Sequence, residues 1–342
     1  MPRKTQQNKI TTPELLAQIN PENKTLVDDY LSYLKAIQRS DTTIAAYKND
    51  LDIWMCWNVQ HNNNKHFCDL SRRNVIAFQD WLLNTNKNSP ARVRRLKSSL
   101  SALGNYIESM LDDEYPKYRN MINKVPSPTN EHVREKTVFT LEQLTDLLKE
   151  LTDRGQMQKA CAVALAMYSG ARKSELVRFK HEYFVDSNIL YGALYKTPEK
   201  IKTKGRGVNG KLLYKYVLST EFKPFLENWM KQRSELGINS EWLFVTKNMD
   251  GSYSKLKADT LNSWANSFTQ MLGIDFYWHS LRHFFTTFLS TKMNIPDNVI
   301  KDIVGWSDVK LVDLYRDQDE DEEMGKYFSA DGTRPEIGLF NK

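Results

Sequence analysis

Residues 168–176 read YSGARKSEL, and this short stretch organises the C-terminal half of the chain. The segment before it is apolar from Ala160 onward, which predicts a buried helix. Gly170 ends that helix, and Arg172 and Glu175 follow three residues apart at the start of the next one. Taken alone, the Arg172–Glu175 pair is most simply a surface ion pair. Its meaning therefore depends on the motifs that follow.

A β-rich segment comes next. Residues 183–185 and 189–194 predict short strands, and the sequence KIKTKGRGVNGKLLYKY, which begins at Lys200, predicts a hairpin. Lys200, Lys202 and Lys204 alternate onto one face of its first arm. Such a row is either a charged edge strand that resists aggregation or a basic face that meets an anion.

The sequence HSLRHFF begins at His279. His279 and Arg282 are three residues apart, and His283 follows His279 by four residues, a spacing that can bind a metal on a helix. The glutamate of an HExxH motif is missing and no third ligand is evident, so we predict no metal at this position.

The sequence VGWSDVKLVDLYRD contains Trp306 and, nine residues later, Tyr315. Tyrosine can attack a phosphorus atom and form a covalent phosphoenzyme. Arginines supply planar, permanently charged donors that neutralise the phosphate oxygens in place of a metal. A lysine with a lowered pKa can protonate the leaving oxygen. Taken together, two arginines, a histidine, a lysine and a tyrosine predict phosphoryl transfer with no metal and no other cofactor.

In order and spacing these motifs resemble those of tyrosine recombinases of the phage integrase family, over roughly residues 24–320. The resemblance implies that Arg172 and Arg282 clamp the scissile phosphate and that His279 assists proton transfer. It implies that Tyr315 forms a 3′-phosphotyrosyl link and frees a 5′-hydroxyl. It also implies a two-domain, C-shaped clamp on double-stranded DNA that works as a tetramer on paired sites.

Several positions stay open within that resemblance. The family places its lysine just before the hairpin turn, which favours Lys204 over Lys202 on the same face. Trp306 stands where most members have histidine, and its indole N–H can donate to a phosphate oxygen but cannot carry a proton. Glu175 is expected to support the pocket by bonding a neighbouring catalytic group. Tyr327 is a rival nucleophile that lacks the spacing from Trp306.

The N-terminal half predicts helices and no strand. Apolar periodicity and capping residues predict helices from Lys24, from Ser40–Asp41, over 72–83 and over about 91–111. The last of these reads SPARVRRLKSSLSALGNY, with one apolar face and one basic, serine-containing face. That basic face fits a DNA backbone or, equally, a solvated surface. The candidate DNA contacts are Arg92, Arg94, Arg95, Lys97 and Ser99.

Length and composition set the frame. The 342 residues suggest two domains. The predicted elements, together with the resemblance, imply a mainly α fold with a small sheet. We expect a flexible basic N-terminus (1–22), a helical DNA-binding domain (23–113), a linker (114–137) and a catalytic domain (138–342) with an acidic tail. That tail either reaches a neighbouring protomer or is solvated.

Charge and cysteine content suggest a partner and a location. The net charge of +6 favours a polyanionic partner such as DNA. Three scattered cysteines exclude a disulfide framework and indicate a reducing compartment. The N-terminus does not resemble a signal peptide, and no apolar run is long enough to span a bilayer. We therefore expect a cytoplasmic, nucleoid-associated protein of bacterial, phage or mobile-element origin.

Two other functions remain open at this stage. A type IB topoisomerase uses a similar tyrosine and basic pocket, and it would relax supercoiled DNA at no specific site. A DNA-binding regulator that has lost catalysis is suggested only by Trp306.

Overall fold

The computed structural model describes residues 10–129, 137–203 and 210–316. These residues form two compact units, an N-terminal unit (10–129) and a C-terminal unit (137–203 and 211–316). Helices dominate both units, and the described strands all lie in the C-terminal unit. The expected fold class, mainly α with a small sheet, is confirmed.

The N-terminal unit is built from helices whose starts are set by serine caps. Ser40, Ser71 and Ser89 each accept a hydrogen bond from a backbone N–H in the first turn of the following helix. The described α-helices are α1 (Pro13–Gln18), α2 (Pro21–Ala36), α3 (Asp41–His61), α4 (Arg72–Asp80) and α5 (Pro90–Met110). A π-helical turn over Trp81–Thr85 continues α4.

The core of the N-terminal unit is rich in aromatic rings. The rings of Trp54 and Phe78 meet edge to face, with centroids 4.7 Å apart. Leu96, Leu100 and Leu103 on α5 are fully buried, as the apolar face of that helix predicts.

The structure differs from the expected domain boundaries at both ends of this unit. Part of the expected flexible N-terminus forms α1, and Ile10 and Ile19 are buried. Part of the expected linker packs on the unit, with Tyr118, Ile122 and Val125 buried in its core. Prolines and charges indicated a linker here, but the apolar residues between them cover α5. Residues 130–136 lie outside the described part of the chain.

In the C-terminal unit the helices surround α7, which is buried along almost its whole length from Ala160 to Ser169, as predicted. A capping box formed by Thr140 and Gln143 starts the helix before it. The described α-helices are α6 (Leu141–Asp153), α7 (Met157–Ser169), α8 (Lys173–Leu176), α9 (Ser219–Glu235), α10 (Thr260–Leu272), α11 (Trp278–Thr291), α12 (Asp297–Val304) and α13 (Lys310–Tyr315).

The described strands of this unit are β1 (Ile189–Leu190), β2 (Leu194–Lys196), β3 (Ile201–Thr203), β4 (Lys211–Leu213), β5 (Tyr216–Leu218), β6 (Val245–Lys247) and β7 (Tyr253–Lys255). Within the described residues they form three small antiparallel sheets, β1-β2-β5, β3-β4 and β6-β7. The predicted hairpin is divided, because β3 pairs with β4 in its outer part while β5 pairs with β2. The predicted strand at 183–185 is wrong, since Tyr183 ends a 3-10 turn.

Gly170, in the first motif, ends α7 in the left-handed conformation with φ +56°. A Cβ atom there would lie 2.6 Å from Cδ1 of Phe285, whose ring is fully buried. We expect Gly170→Ala to lower the free energy of unfolding by about 2–4 kcal/mol, from left-handed strain plus overpacking. Urea denaturation measures the change.

Gly155 offers a matched control for this prediction. It has φ +69°, but a Cβ atom added there would meet no other atom within 4 Å, so Gly155→Ala carries the backbone strain without the clash. We expect a loss of about 1 kcal/mol there. Equal losses at the two glycines would show that the contact with Phe285 is unimportant.

Candidate active site

The C-terminal unit brings the separated motifs to one place. Arg172 precedes α8, His279 and Arg282 lie on the first turns of α11, and Tyr315 ends α13. The deciding distance joins His279 Nε2 to the Tyr315 hydroxyl oxygen, at 3.0 Å. A histidine in this position can accept the phenol proton as the oxygen becomes a nucleophile.

The ring of Tyr315 is held by three aromatic neighbours. Its centroid lies 5.3 Å from that of His279, 4.5 Å from the stacked ring of His283 and 4.7 Å from the Trp306 ring. These contacts restrict the ring so that its hydroxyl stays beside His279. His283 therefore belongs to the site, although the sequence suggested it only as an improbable metal ligand.

Arg282 is fully buried, and the tertiary structure explains how. Its Nη1 donates to the Gly170 carbonyl at 2.8 Å and its Nη2 to the Val304 carbonyl at 3.1 Å. Both carbonyls lie at the C-terminal ends of helices, where the helix dipole is negative and favours a cation. Burial, followed by the nearby charge of Arg172, lowers the pKa of Arg282 to about 10, so it stays charged at neutral pH.

Trp306 packs beside this arginine. Its ring centroid lies 5.0 Å from the Arg282 guanidinium carbon, and its side chain is almost fully buried. Gly305 before it has φ +82° and ends α12, and a Cβ there would lie 2.7 Å from Leu213 Cδ1. The indole ring thus packs against both the Arg282 guanidinium and the Tyr315 ring.

Arg172 belongs to a chain of charges. Its Nη1 lies 2.9 Å from Glu175 Oε1, and Lys215 Nζ lies 2.8 Å from Glu175 Oε2. Burial acts to raise the pKa of Glu175, but Lys215 and then Arg172 outweigh it and lower that pKa to about 2. Burial lowers the pKa of Lys215.

The sequence analysis missed Lys215. A usable signal exists in LLYKYVL, because Leu213, Lys215 and Val217 alternate onto one face of the return arm. Val217 is fully buried, so the lysine between apolar neighbours faces inward too.

The catalytic lysine itself stays a prediction. Lys204 lies outside the described residues. Lys202 lies on β3 with an exposed side chain, and its backbone carbonyl accepts a hydrogen bond from Arg178. Tyr327 and the rest of the acidic tail also fall outside the described part of the chain.

On α5 the structure corrects two of the candidate DNA contacts. Lys97 is buried and donates to the Val125 and Pro126 carbonyls at 2.8 and 3.0 Å. Ser99 is buried and donates to Asp50 Oδ2 at 2.8 Å. The expected linker covers one flank of α5 and α3 covers the other, so both side chains are used inside the unit.

The α5 arginines remain at the surface. Arg92 Nη1 lies 2.7 Å from Asp50 Oδ1, and Arg95 Nε lies 3.5 Å from Asp50 Oδ2. Asp50 is almost fully buried, whereas 61% of the Arg95 side chain is exposed. Arg94 donates to the Pro128 carbonyl.

The comparison with protein families settles the affiliation. The model of the phage integrase family matches residues 137–322, more than half of the chain. The chain belongs to this family. Membership makes it a site-specific tyrosine recombinase, and neither topoisomerase activity nor loss of catalysis is favoured.

Relatives of this phage integrase family member agree. It is 28% identical over 260 residues to the SPbeta prophage-derived recombinase-like protein YomM of Bacillus subtilis (strain 168), covering 75% of this chain and 74% of YomM. The XerH site-specific recombinase bound to palindromic difH substrate matches with TM-score 0.63 and 17% identity. The match covers 83% of this chain and 79% of the XerH chain. A lambda integrase dimer bound to a COC′ core site matches with TM-score 0.62 and 15% identity. That match covers 90% of this chain and 81% of the lambda integrase chain. Both structures share the fold.

Among the described helices of this family member, none has the length and apolar character needed to span a membrane.

Proposed function

We propose that this recombinase cuts and rejoins double-stranded DNA through a covalent link between Tyr315 and a 3′-phosphate. The observation that carries the proposal is the 3.0 Å approach of the Tyr315 hydroxyl to His279, beside the buried cation of Arg282. The phosphotyrosyl bond keeps the energy of the broken phosphodiester, so the reaction needs neither ATP nor a metal.

In the cleavage step, Tyr315 Oη attacks the scissile phosphorus and its proton passes to His279 Nε2. The bond from phosphorus to the 5′-oxygen breaks, and the hairpin lysine, Lys204 or Lys202, protonates that oxygen. Arg172 and Arg282 donate to the non-bridging oxygens as negative charge develops on them, and Arg282 does so through N–H groups, including that of Nε, which the Gly170 and Val304 carbonyls do not use. Rejoining reverses these steps with a 5′-hydroxyl from the same or another strand.

DNA is the partner that the relatives suggest. XerH is described bound to a difH substrate and lambda integrase bound to a core site. We propose that this chain likewise binds duplex DNA, that it assembles as a tetramer on paired sites, and that it acts at the nucleoid. Exposed arginines on α5 provide one basic surface for that binding.

Covalent capture tests the function even though the target sequence is unknown. The protein is incubated in EDTA with sheared DNA from its source genome, adducts are precipitated with SDS and potassium, and the attached peptide is identified. We expect recovery of one class of DNA segment attached at Tyr315. Adducts at another residue would contradict the assigned nucleophile. Absence of adducts from protein that retains these fragments would contradict the proposed activity.

The α5 assignment makes a separate prediction about affinity. Arg95→Ala should reduce the salt dependence of binding to a short duplex of arbitrary sequence by about one counterion, because an exposed guanidinium reaches phosphate. Lys97→Met should leave that slope unchanged, because its ammonium group is committed to two carbonyls. Titrations at several salt concentrations measure the slopes, and an equal change in both variants would contradict the assignment.

A further inference from the structure

We propose that Lys215 positions Arg172 for the scissile phosphate by occupying one oxygen of Glu175. The inference rests on the proposed function, because it concerns how one of the phosphate-binding arginines is held. It identifies a positioning residue on the return arm of the hairpin, distinct from Lys202 and Lys204 on the first arm, to which the resemblance assigns the catalytic lysine.

The contacts describe a relay of three charges. Lys215 Nζ lies 2.8 Å from Glu175 Oε2, and Arg172 Nη1 lies 2.9 Å from Glu175 Oε1. The Arg172 backbone N–H also donates to Oε2, at 3.1 Å. Glu175 and Lys215 are almost completely buried, whereas a quarter of the Arg172 side chain is exposed. Only the arginine end of the relay therefore faces outward.

The backbone of Lys215 is itself anchored. Its N–H donates to Thr197 Oγ1 at 3.0 Å, and its carbonyl accepts from the Thr197 N–H at 3.0 Å. Thr197 is buried directly after β2, and Lys215 lies directly before β5. The backbone of Lys215 is thus fixed beside the β1-β2-β5 sheet, and the contact of its ammonium group with Glu175 connects this sheet to the start of α8.

This geometry gives Lys215 a role that differs from that of the hairpin lysine. Its Nζ is buried and bound to Glu175, so it cannot donate a proton to a DNA oxygen. A buried ion pair is by itself a weak source of stability, which leaves orientation as the stronger reason for its presence.

Loss of Lys215 should redirect Arg172. With Oε2 released, the Glu175 carboxylate can accept two parallel hydrogen bonds from the Arg172 guanidinium. The relay would also lose one positive charge. Both effects turn the arginine donors toward the protein and away from a phosphate oxygen.

The test uses the duplex that wild-type protein captures in the covalent experiment, nicked beside the cleavage site. The rate of adduct formation is measured at saturating protein, and the dissociation constant is measured separately. We expect Lys215→Met to lower the saturated rate about 100-fold with little change in affinity, as for a misplaced catalytic group. Lys215→Arg should recover most of the rate, since it restores a cation beside Oε2.

A neutral methylphosphonate at the scissile position separates positioning from general damage. It removes the charge that Arg172 neutralises, so the defect of Lys215→Met should shrink to less than about tenfold on that substrate. Lys211→Met, an exposed lysine four residues earlier on the same arm, is the matched control and should keep the wild-type saturated rate.

The outcomes are distinct. A folded Lys215→Met protein with the wild-type rate, or with the same defect on both substrates, would overturn the inference. If Lys215→Met does not fold, the double variant Glu175→Gln with Lys215→Met removes both buried charges, and its defect must also shrink on the methylphosphonate. Absence of adduct from the wild type would instead overturn the proposed function, and this inference with it.

Discussion

Tyr315→Phe is expected to abolish the covalent protein–DNA adduct and to leave DNA binding unchanged. The substitution removes only the hydroxyl that lies 3.0 Å from His279. The ring contacts with His283 and Trp306 do not need the hydroxyl, so the fold of the site should persist. Without a nucleophile the rate should fall at least about 10⁴-fold.

Denaturing gels of protein mixed with the captured duplex in EDTA measure this effect. Tyr327→Phe serves as the comparison, because Tyr327 lacks the nine-residue spacing from Trp306. We expect that variant to form the adduct at the wild-type rate. If Tyr315→Phe still formed the adduct, or if Tyr327→Phe lost it, the assignment of Tyr315 as the nucleophile would be wrong.

Glu175→Ala is expected to cause the largest loss of stability, about 3–5 kcal/mol in the free energy of unfolding. The change leaves Lys215 buried with no carboxylate beside its ammonium group. Denaturant unfolding at neutral pH measures the loss. Glu150→Ala is the control, since Glu150 forms a surface pair with Arg154 and should cost at most about 1 kcal/mol.

The difference in unfolding free energy between the wild type and Glu175→Ala depends on pH through the pKa of Glu175. Its ordinary value is 4.5, and the folded protein lowers it to about 2. A lowered folded-state pKa contributes stability that is fully present above the ordinary value and is lost as pH falls toward the folded value. The gap between wild type and Glu175→Ala should therefore narrow between pH 4.5 and 2. A constant gap across that range would show that Glu175 is not held as a buried carboxylate.

Local sequence predicted the elements and the chemical groups well. Serine caps marked the starts of α3 and α4, Pro90 marked the start of α5, and apolar continuity marked the buried α7. These features depend on residues within a few positions of one another. Arg172, His279, Arg282 and Tyr315 were predicted differently, from short motifs whose order along the chain resembles that of the phage integrase family.

The errors at the expected linker and at Lys97 have one cause, a segment that covers the surface of a helix. Prolines and charges in the segment after α5 indicated a linker, but Ile122 and Val125 of that segment are buried in the core of the N-terminal unit. The same packing takes Lys97 out of solvent. The periodicity of an amphipathic helix shows its apolar face. It does not show whether another segment of the chain covers part of its polar face.

By itself, then, the sequence determined the helical character of the chain, its order of motifs and its candidate nucleophile, because these follow from local propensity and covalent spacing. Only the tertiary structure decided how the charges are held. The Arg282 guanidinium donates to a carbonyl 112 residues away, at Gly170, and Lys215, directly before β5, pairs with Glu175 on α8. Such pairs form because folding removes water from polar groups that are far apart in the chain, and each buried group then needs a hydrogen-bond partner in place of that water. The residues of a single motif do not indicate which distant group becomes that partner.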